Sequence, residues 1–282
     1  MRRVAKVAKV AYRLCWWVFA ALVVLGAFGQ ASTSLWWVLL PAVVATVLSV
    51  VAGRLTAHDI RAAGREPVAV AAPVAGRWVA MNSPATKVPS HGTHAYGQSY
   101  AIDIVAEPKP RSRAAFAWVW PIVRRNLDFP GFGEPLLAVA DATVVRVADG
   151  KRDHLSRNSL LGVAYVLVVE GPVRDMAGAG RLLGNHVILD LENGVYALYA
   201  HAQRGSIAVR QGDRVRAGQP IARCGNSGNS TEPHVHFQLM DHPDPDVATG
   251  LPFRWHGVEV PANGEAFHGG EDTAGEPAST LG

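Results

Sequence analysis

The sequence predicts a mainly β domain, an antiparallel β-sandwich or barrel-like fold, preceded by an N-terminal transmembrane helical hairpin. Three observations predict it. Two uncharged stretches open the chain, Leu14 to Gly29 with sixteen residues and Leu35 to Gly53 with nineteen, separated only by Gln30 to Ser34. From Val79 onward, short runs rich in β-branched and aromatic residues replace them, among them Thr143-Val-Val-Arg-Val, Val163-Ala-Tyr-Val-Leu-Val-Val, His186-Val-Ile-Leu-Asp-Leu and Gly194-Val-Tyr-Ala-Leu-Tyr. Glycine, asparagine and proline separate these runs, and Glu192-Asn193-Gly194 is a hairpin signal between two alternating strands.

Residues 1–53 are read as a membrane anchor. At a rise of about 1.5 Å per residue the second stretch crosses a bilayer, and the first does so with flanking residues back to Val10 and Arg13 snorkelling to the surface. Trp16, Trp17, Trp36 and Trp37 stand near the expected interfaces. A cleavable signal sequence or a single anchor would explain the basic start and first stretch, but leaves the second without a role. Arg2, Arg3, Lys6, Lys9 and Arg13 precede the hairpin, and Arg54, Arg61 and Arg65 follow it. By charge bias alone, both ends are cytoplasmic.

Residues 54–78 form a juxtamembrane linker, with a short helix over Arg54 to Arg65 and the sheet starting near Val68. The β domain is expected over 79–260. Two excursions interrupt it. Residues 104–132 hold an aromatic insertion with Phe116-Ala-Trp-Val-Trp-Pro and Asp128-Phe-Pro-Gly-Phe, long enough to wall a cleft, to block one, or to pack as a satellite cluster. Asp149 to Arg181 reads as surface loops around one inner strand. Small and acidic residues dominate 261–282, which is expected to be disordered.

The chemistry concentrates in two places. In His234-Val-His-Phe-Gln-Leu, strand alternation puts His234 and His236 on one face and Val235 and Phe237 on the other. Upstream, Pro89-Ser-His91-Gly-Thr-His94 leads into Tyr100-Ala-Ile-Asp103, a turn-rich segment running into a short strand that ends on a carboxylate. Two imidazoles and one carboxylate make a zinc set. Catalytic zinc takes three protein ligands and leaves one position open, where water becomes acidic enough to act at neutral pH. A third histidine, His201, follows Tyr199-Ala200, and further imidazoles near the ion are free for acid and base work.

These pieces resemble, in order, the lysostaphin/LytM-type zinc metallopeptidases, which cut peptide cross-links of bacterial peptidoglycan. The matching motifs are the His…Tyr-Ala-Ile-Asp block, Gly133-Glu-Pro-Leu-Leu-Ala-Val-Ala-Asp-Ala-Thr-Val-Val and Tyr199-Ala-His. They continue with Gly212-Asp-Arg-Val-Arg-Ala-Gly-Gln-Pro-Ile-Ala, Gly225-Asn-Ser-Gly-Asn-Ser-Thr-Glu-Pro-His and His234-Val-His-Phe. The resemblance implies one Zn²⁺ per chain held by Asp103 and His236, with His201 and His234 as the catalytic pair that orients or deprotonates water and stabilises the oxyanion. The family's usual third ligand lies four residues before the aspartate, where this chain has Ser99. His91, twelve residues before Asp103 in a Ser-His-Gly turn, is preferred; His94, nine before it, is the alternative and otherwise a rim residue.

The implied function is a membrane-anchored zinc metalloendopeptidase of the cell wall, with peptidoglycan peptide or glycan and membrane lipid as partners. This sets the catalytic domain on the outer face, against the charge bias. A non-catalytic binding or regulatory module that activates another hydrolase is the alternative. Net charge is +4, and the basic residues are not interleaved with aromatics as a nucleic-acid reader requires. Cys15 lies in the first apolar stretch and Cys224 in the glycine turn, so no disulfide joins soluble segments and no paired-cysteine zinc site exists. Asn82, Ser83 and Gln238 are expected to line the cleft without touching metal, and His154, His186, His242, His256 and His268 to lie on the surface. The glycine-rich turn before His234 lacks the lysine of a phosphate loop.

Overall fold

A computed structural model describes residues 2–29, 34–108 and 112–270. Helices α1 (Arg2–Ala27) and α2 (Leu35–Ala63) pack side by side as a hairpin. Their apolar segments, Lys6–Ala27 and Leu35–Ala63, are long enough to cross a membrane and bury almost nothing against the rest of the chain. The expected linker helix is the end of α2, which stops at Gly64, a glycine in the left-handed conformation.

The remainder is mostly antiparallel sheet. Among the described residues thirteen short strands follow: β1 (Val68–Val70), β2 (Gly76–Asn82), β3 (Ile102–Ala106), β4 (Pro135–Leu137), β5 (Ala142–Ala148), β6 (Asn185–Asp190), β7 (Tyr196–Ala202), β8 (Arg214–Val215), β9 (Pro220–Arg223), β10 (Val235–Met240), β11 (Gly250–Leu251), β12 (Phe253–Trp255) and β13 (Ala266–Gly269). The main sheet runs β13-β2-β3-β10-β7-β6-β5-β8, with β11 added on β10, and does not close. Two small pairs, β1 with β12 and β4 with β9, lie outside it. Trp78, Ile102, Ile104, Leu189, Tyr199, Val235, Phe237 and Leu239 form a buried core against these pairs. A smaller cluster of Leu183, Ile188, Leu198, Ala200 and Met240 lies apart from it.

Three sequence expectations are corrected. Val163 to Val169 is helical: α3 (Leu160–Tyr165), a wide π turn over Val166–Glu170, then α4 (Gly171–Met176) and α5 (Ala179–Leu183). An apolar run of β-branched residues suits a buried strand or a helix equally, and Ser159 decides it by accepting the amide of Gly162 as an N-cap. The aromatic insertion starts after Ala106, because β3 continues past residue 104. The segment from 261, expected to be disordered, supplies β13, paired with β2; the rest of that tail, 271–282, lies outside the described residues.

Candidate metal and catalytic site

The site is assembled on the three central strands. In the β3–β10 register His236 stands directly opposite Asp103, and on the other flank opposite Ala200 of β7. Alternation sends Val235 and Phe237 into the core and leaves His236 and Gln238 on the far face. His201 reaches that face by an irregularity. Between Asn185↔Ala202 and Val187↔Tyr199 strand β7 holds one residue more than β6, and His201 sits in this bulge at φ +61°. A left-handed non-glycine residue is strained, and such strain gathers at functional sites. Its ring centroid lies 4.8 Å from that of His234 and 5.7 Å from that of His236.

Hydrogen-bond partners determine which nitrogens carry protons. Ser90 Oγ donates to the carbonyl of Ala101 at 2.6 Å, so towards His91 Nδ1, 2.9 Å away, it accepts. That leaves the His91 Nε2 lone pair facing Asp103 Oδ2 at 2.8 Å. Gln238 Nε2 donates to the Tyr96 carbonyl at 2.8 Å, which turns its Oε1 towards His236 Nε2 at 2.9 Å. The His236 Nδ1 lone pair therefore faces Asp103 Oδ1 at 2.9 Å. Acceptors this close repel unless a cation or protons lie among them.

His91, Asp103 and His236 offer one ligand atom each, all within 4.8 Å of one another. Ligands bound to zinc at about 2.0–2.2 Å in tetrahedral geometry lie about 3.4 Å apart, so the set fits such an ion with small adjustments. Behind these three residues, Ser90 and Gln238 fix the tautomers, and Asn82 Nδ2 donates to Asp103 Oδ2 at 2.9 Å. Outer partners of this kind orient a metal's ligands and raise their basicity.

Beside this set stand His201 and His234. His201 Nδ1–H donates to the Ser227 carbonyl at 2.8 Å and His234 Nδ1–H to the Glu232 carbonyl at 2.8 Å, so both rings turn Nε2 inward. Burial pushes the His201 pKa well below its ordinary value, with the neighbouring His234 and His236 adding to it. Burial lowers His234 too, but the charge and hydrogen bond of Asp103, whose Oδ1 is 3.5 Å from its Nε2, raise it above the usual histidine value. Asp103 is buried, which alone would raise its pKa, but positive charge on His91 and His234, present when these imidazoles are protonated, pulls it well below the carboxylate range.

His94 is not in this cluster. It bonds Ser99 Oγ at 3.0 Å and lines a separate cavity of about 470 Å³ between the helical hairpin and the sheet. Asn82 and Gln238 line the site as expected, whereas the Ser83 hydroxyl accepts the Ala85 amide in a turn. His186, expected on the surface, is buried, and His154 is tucked behind the Gly228 carbonyl, which its Nε2 meets at 2.9 Å. Sequence reading missed Ser90, Ser227 and the Arg113–Glu232 pair at the end of the loop that delivers His234. Only Ser90 carried a signal, its place beside His91.

Residues 166–246 match the family model described as Peptidase family M23. The matched range covers His201, His234 and His236, while His91 and Asp103 precede it. Among curated relatives, the glycyl-glycine endopeptidase ALE-1 of Staphylococcus capitis is 37% identical over 89 residues, covering 28% of this chain and 24% of that protein. The DD-carboxypeptidase/endopeptidase Mpg of Neisseria meningitidis is 41% identical over 100 residues, 32% of this chain and 23% of that protein. The outer membrane antigenic lipoprotein B of Histophilus somni is 28% identical over 46% of this chain and 33% of its own length. The chain spans a third or less of the curated relatives named here. The catalytic domain of lysostaphin from Staphylococcus simulans aligns in structure with 19% identity over 62% of this chain and 88% of that one, at a TM-score of 0.32. The chain thus carries a peptidase M23 segment. By its sequence relatives that segment is of the lysostaphin/LytM type.

Proposed function

We propose that this chain is a membrane-anchored zinc metalloendopeptidase that hydrolyses peptide bonds of cell-wall peptidoglycan. The observation that carries the reading is the convergence of two imidazole lone pairs on one buried carboxylate, with two more histidines turning Nε2 towards the same place. His91, Asp103 and His236 would hold the ion. A zinc ion there supplies a Lewis acid for the scissile carbonyl and acidifies water. The Peptidoglycan DD-endopeptidase ShyA of Vibrio cholerae, 37% identical over 57 residues, supports the substrate class.

The chain's own residues divide the proton work. His234, its ring held by the Glu232 carbonyl with Nε2 turned inward, takes the proton from water through Nε2 and returns it to the leaving amine. His201 stays neutral and directs its Nε2 lone pair at the same water. Stabilising oxyanion charge would require a proton on that nitrogen, which burial opposes more strongly than the Ser227 bond favours it, so this half of the expected role is not assigned to it.

The apolar hairpin and the lipoprotein relative support membrane association. A two-span hairpin returns both ends to the side on which the β domain sits. We place that side outside, where peptidoglycan lies, although Arg2 to Arg13 and Arg54 to Arg65 carry the opposite charge bias; a reporter fused to the C-terminus reads the side directly.

The test is the full chain and His236→Ala, each assayed for bound zinc and for release of peptides from peptidoglycan by mass spectrometry. The native chain is expected to hold about one zinc per chain and to release cleaved peptides, and the variant to do neither. A variant that keeps both overturns the site; a zinc-loaded native chain that cleaves nothing favours the non-catalytic module.

A further inference from the structure

The two excursions from the sheet are one structural unit. The Ala117 amide donates to the Asn158 carbonyl at 3.0 Å, the Leu160 amide to the Ala117 carbonyl at 3.0 Å, and the Ser159 hydroxyl to the Ile122 carbonyl at 2.8 Å. Ladder contacts Ala117↔Ser159 and Arg124↔Ser156 complete the join. What this unit shows to its surroundings is apolar. Trp118 is 73% exposed and Trp120 78%, and on the helix Leu167 and Val168 are 67% and 75% exposed. Leu160 to Val169 contains no charged residue, and of these ten only Gly162 and Val166 are buried. A helix apolar on all sides belongs in a core or in lipid. This one is in no core.

The charges that close this helix are turned inward. Glu170 pairs with Arg157 at 2.5 Å and with Arg174 at 3.0 Å, and Arg174 also reaches Asn229 Oδ1 at 3.2 Å. Its place is set by α4, which packs on α1: Tyr12 Oη donates to Asp175 Oδ2 at 2.7 Å and Arg13 Nε to the Asp175 carbonyl at 3.2 Å. Arg13 is the last charged residue before the uncharged stretch of α1. With α1 read as a membrane span, the bilayer surface would pass at the level of Asp175, at the foot of the exposed helix.

We propose that the face formed by Trp118–Val123 and Leu160–Val169 is seated in the surface layer of the same bilayer that α1 and α2 cross. This rests on the membrane anchoring read above and adds to it a contact made by the β domain itself. Ten helical residues span about 15 Å, too short to cross and the length expected of an interfacial segment. Paired tryptophans suit the headgroup boundary, and the exposed Arg125 at the rim suits anionic lipid. The same unit braces the loop before His234, through the Arg157 amide on the Thr231 carbonyl at 2.6 Å and Arg113 on Glu232. Seating it in lipid fixes the orientation of the cleft relative to the membrane.

The test uses the full chain in a Cys15→Ala background, reconstituted in phosphatidylethanolamine/phosphatidylglycerol vesicles. Trp120→Cys, Val168→Cys and, as the aqueous control, Arg216→Cys carry a nitrobenzoxadiazole label. Expected is blue-shifted emission at 120 and 168, quenching there by lipids brominated near the headgroup, and several-fold weaker quenching by iodide than at 216. Iodide quenching equal at all three positions in chains that float with the vesicles overturns the proposal and leaves the anchor standing. A chain that does not float overturns anchor and proposal together. Shielding that vanishes when chains are diluted to one per vesicle assigns the face to a second copy, and also overturns it.

Discussion

Asp103 faces two imidazole lone pairs that need something placed between, and the residues that set this up lie outside the candidate ligand set. Gln238 is the clearest. Its amide is locked by the Tyr96 carbonyl and in turn locks His236 with Nδ1 towards Asp103. Gln238→Leu leaves the buried Nε2–H of His236 unpaired and frees the ring to take the other tautomer, so zinc affinity should fall roughly 10–100-fold while the sheet still forms. Chelator competition on the full chain reads this, with β-sheet circular dichroism as the control; unchanged affinity would remove Gln238 from the site. His186 makes a different prediction. Burial lowers its pKa to about 4, its Nδ1–H is held by the Gly184 carbonyl at 2.9 Å, and its Nε2 has no partner. A folded-state pKa below the unfolded one means stability present above about pH 6.5 that is lost as pH falls towards 4, on the order of 3 kcal/mol for this shift. His186→Phe should flatten the loss of melting temperature between pH 6.5 and 4 in detergent; an unchanged slope would place the acid sensitivity elsewhere.

At the level of elements, a few backbone irregularities turn an ordinary sheet into a site. The bulge at His201 moves its ring to the face of His236, and the turn before β3 puts the Tyr96 carbonyl over Gln238. That turn depends on Gly97, at φ +71°, where a Cβ would stand 2.9 Å from Gln238 Nε2. Gly97→Ala therefore strains the backbone and pushes on the one side chain that holds His236. A stability loss of about 1–3 kcal/mol, with weaker zinc binding, is expected. Thermal unfolding and metal competition check it, and a variant that loses neither shows the turn to be permissive. Similarly, Gly228 approaches Gly184 so closely that a Cβ would lie 2.4 Å from the Gly184 amide nitrogen, and this contact lies next to the Ser227 carbonyl that holds His201.

These irregularities also mark what could be read from the chain and what could not. Histidines at alternate positions of β10 and an aspartate on β3 were legible, because strand period and ligand chemistry are local properties. That His236 faces Asp103 depends on register across 133 residues of sequence, which local pattern does not encode. The choice of His91 over His94 was argued from a turn, and the structure places only His91 against Asp103. Val163 to Val169 reads as a strand but folds as helix, because the patterns of a buried strand and of an all-round apolar helix coincide in an apolar run. The strand at Ala266–Gly269 was hidden by polar, small-residue composition on both sides.

Across the whole molecule, the helical hairpin and the site share one chain of contacts. Asp175 accepts hydrogen bonds from Tyr12 of α1 and from the Tyr96 hydroxyl, and lies 3.7 Å from Lys9. Tyr96 continues through its own carbonyl to Gln238, and Gln238 to His236. The N-terminal turns of α1 also pair Arg13 with Asp246 and Lys6 with Asp244, so the helix is fastened to the β domain by several acids at once. Such a chain couples two places only if the shared element moves when one end is released. Asp175→Asn keeps the shape, removes the charge and weakens both tyrosine bonds, each worth about 1.5–3 kcal/mol when made to a charged acceptor. Released from Asp175, the Tyr96 turn should loosen over Gln238, and zinc affinity should fall several-fold although Asp175 touches no ligand. Hydrogen exchange over residues 2–13 and 94–100, measured with the chelator titration on the full chain, separates the outcomes. Faster exchange in both segments with weaker zinc binding supports coupling between hairpin and site; faster exchange in residues 2–13 alone, at unchanged affinity, means that the hairpin holds the domain in place and nothing more.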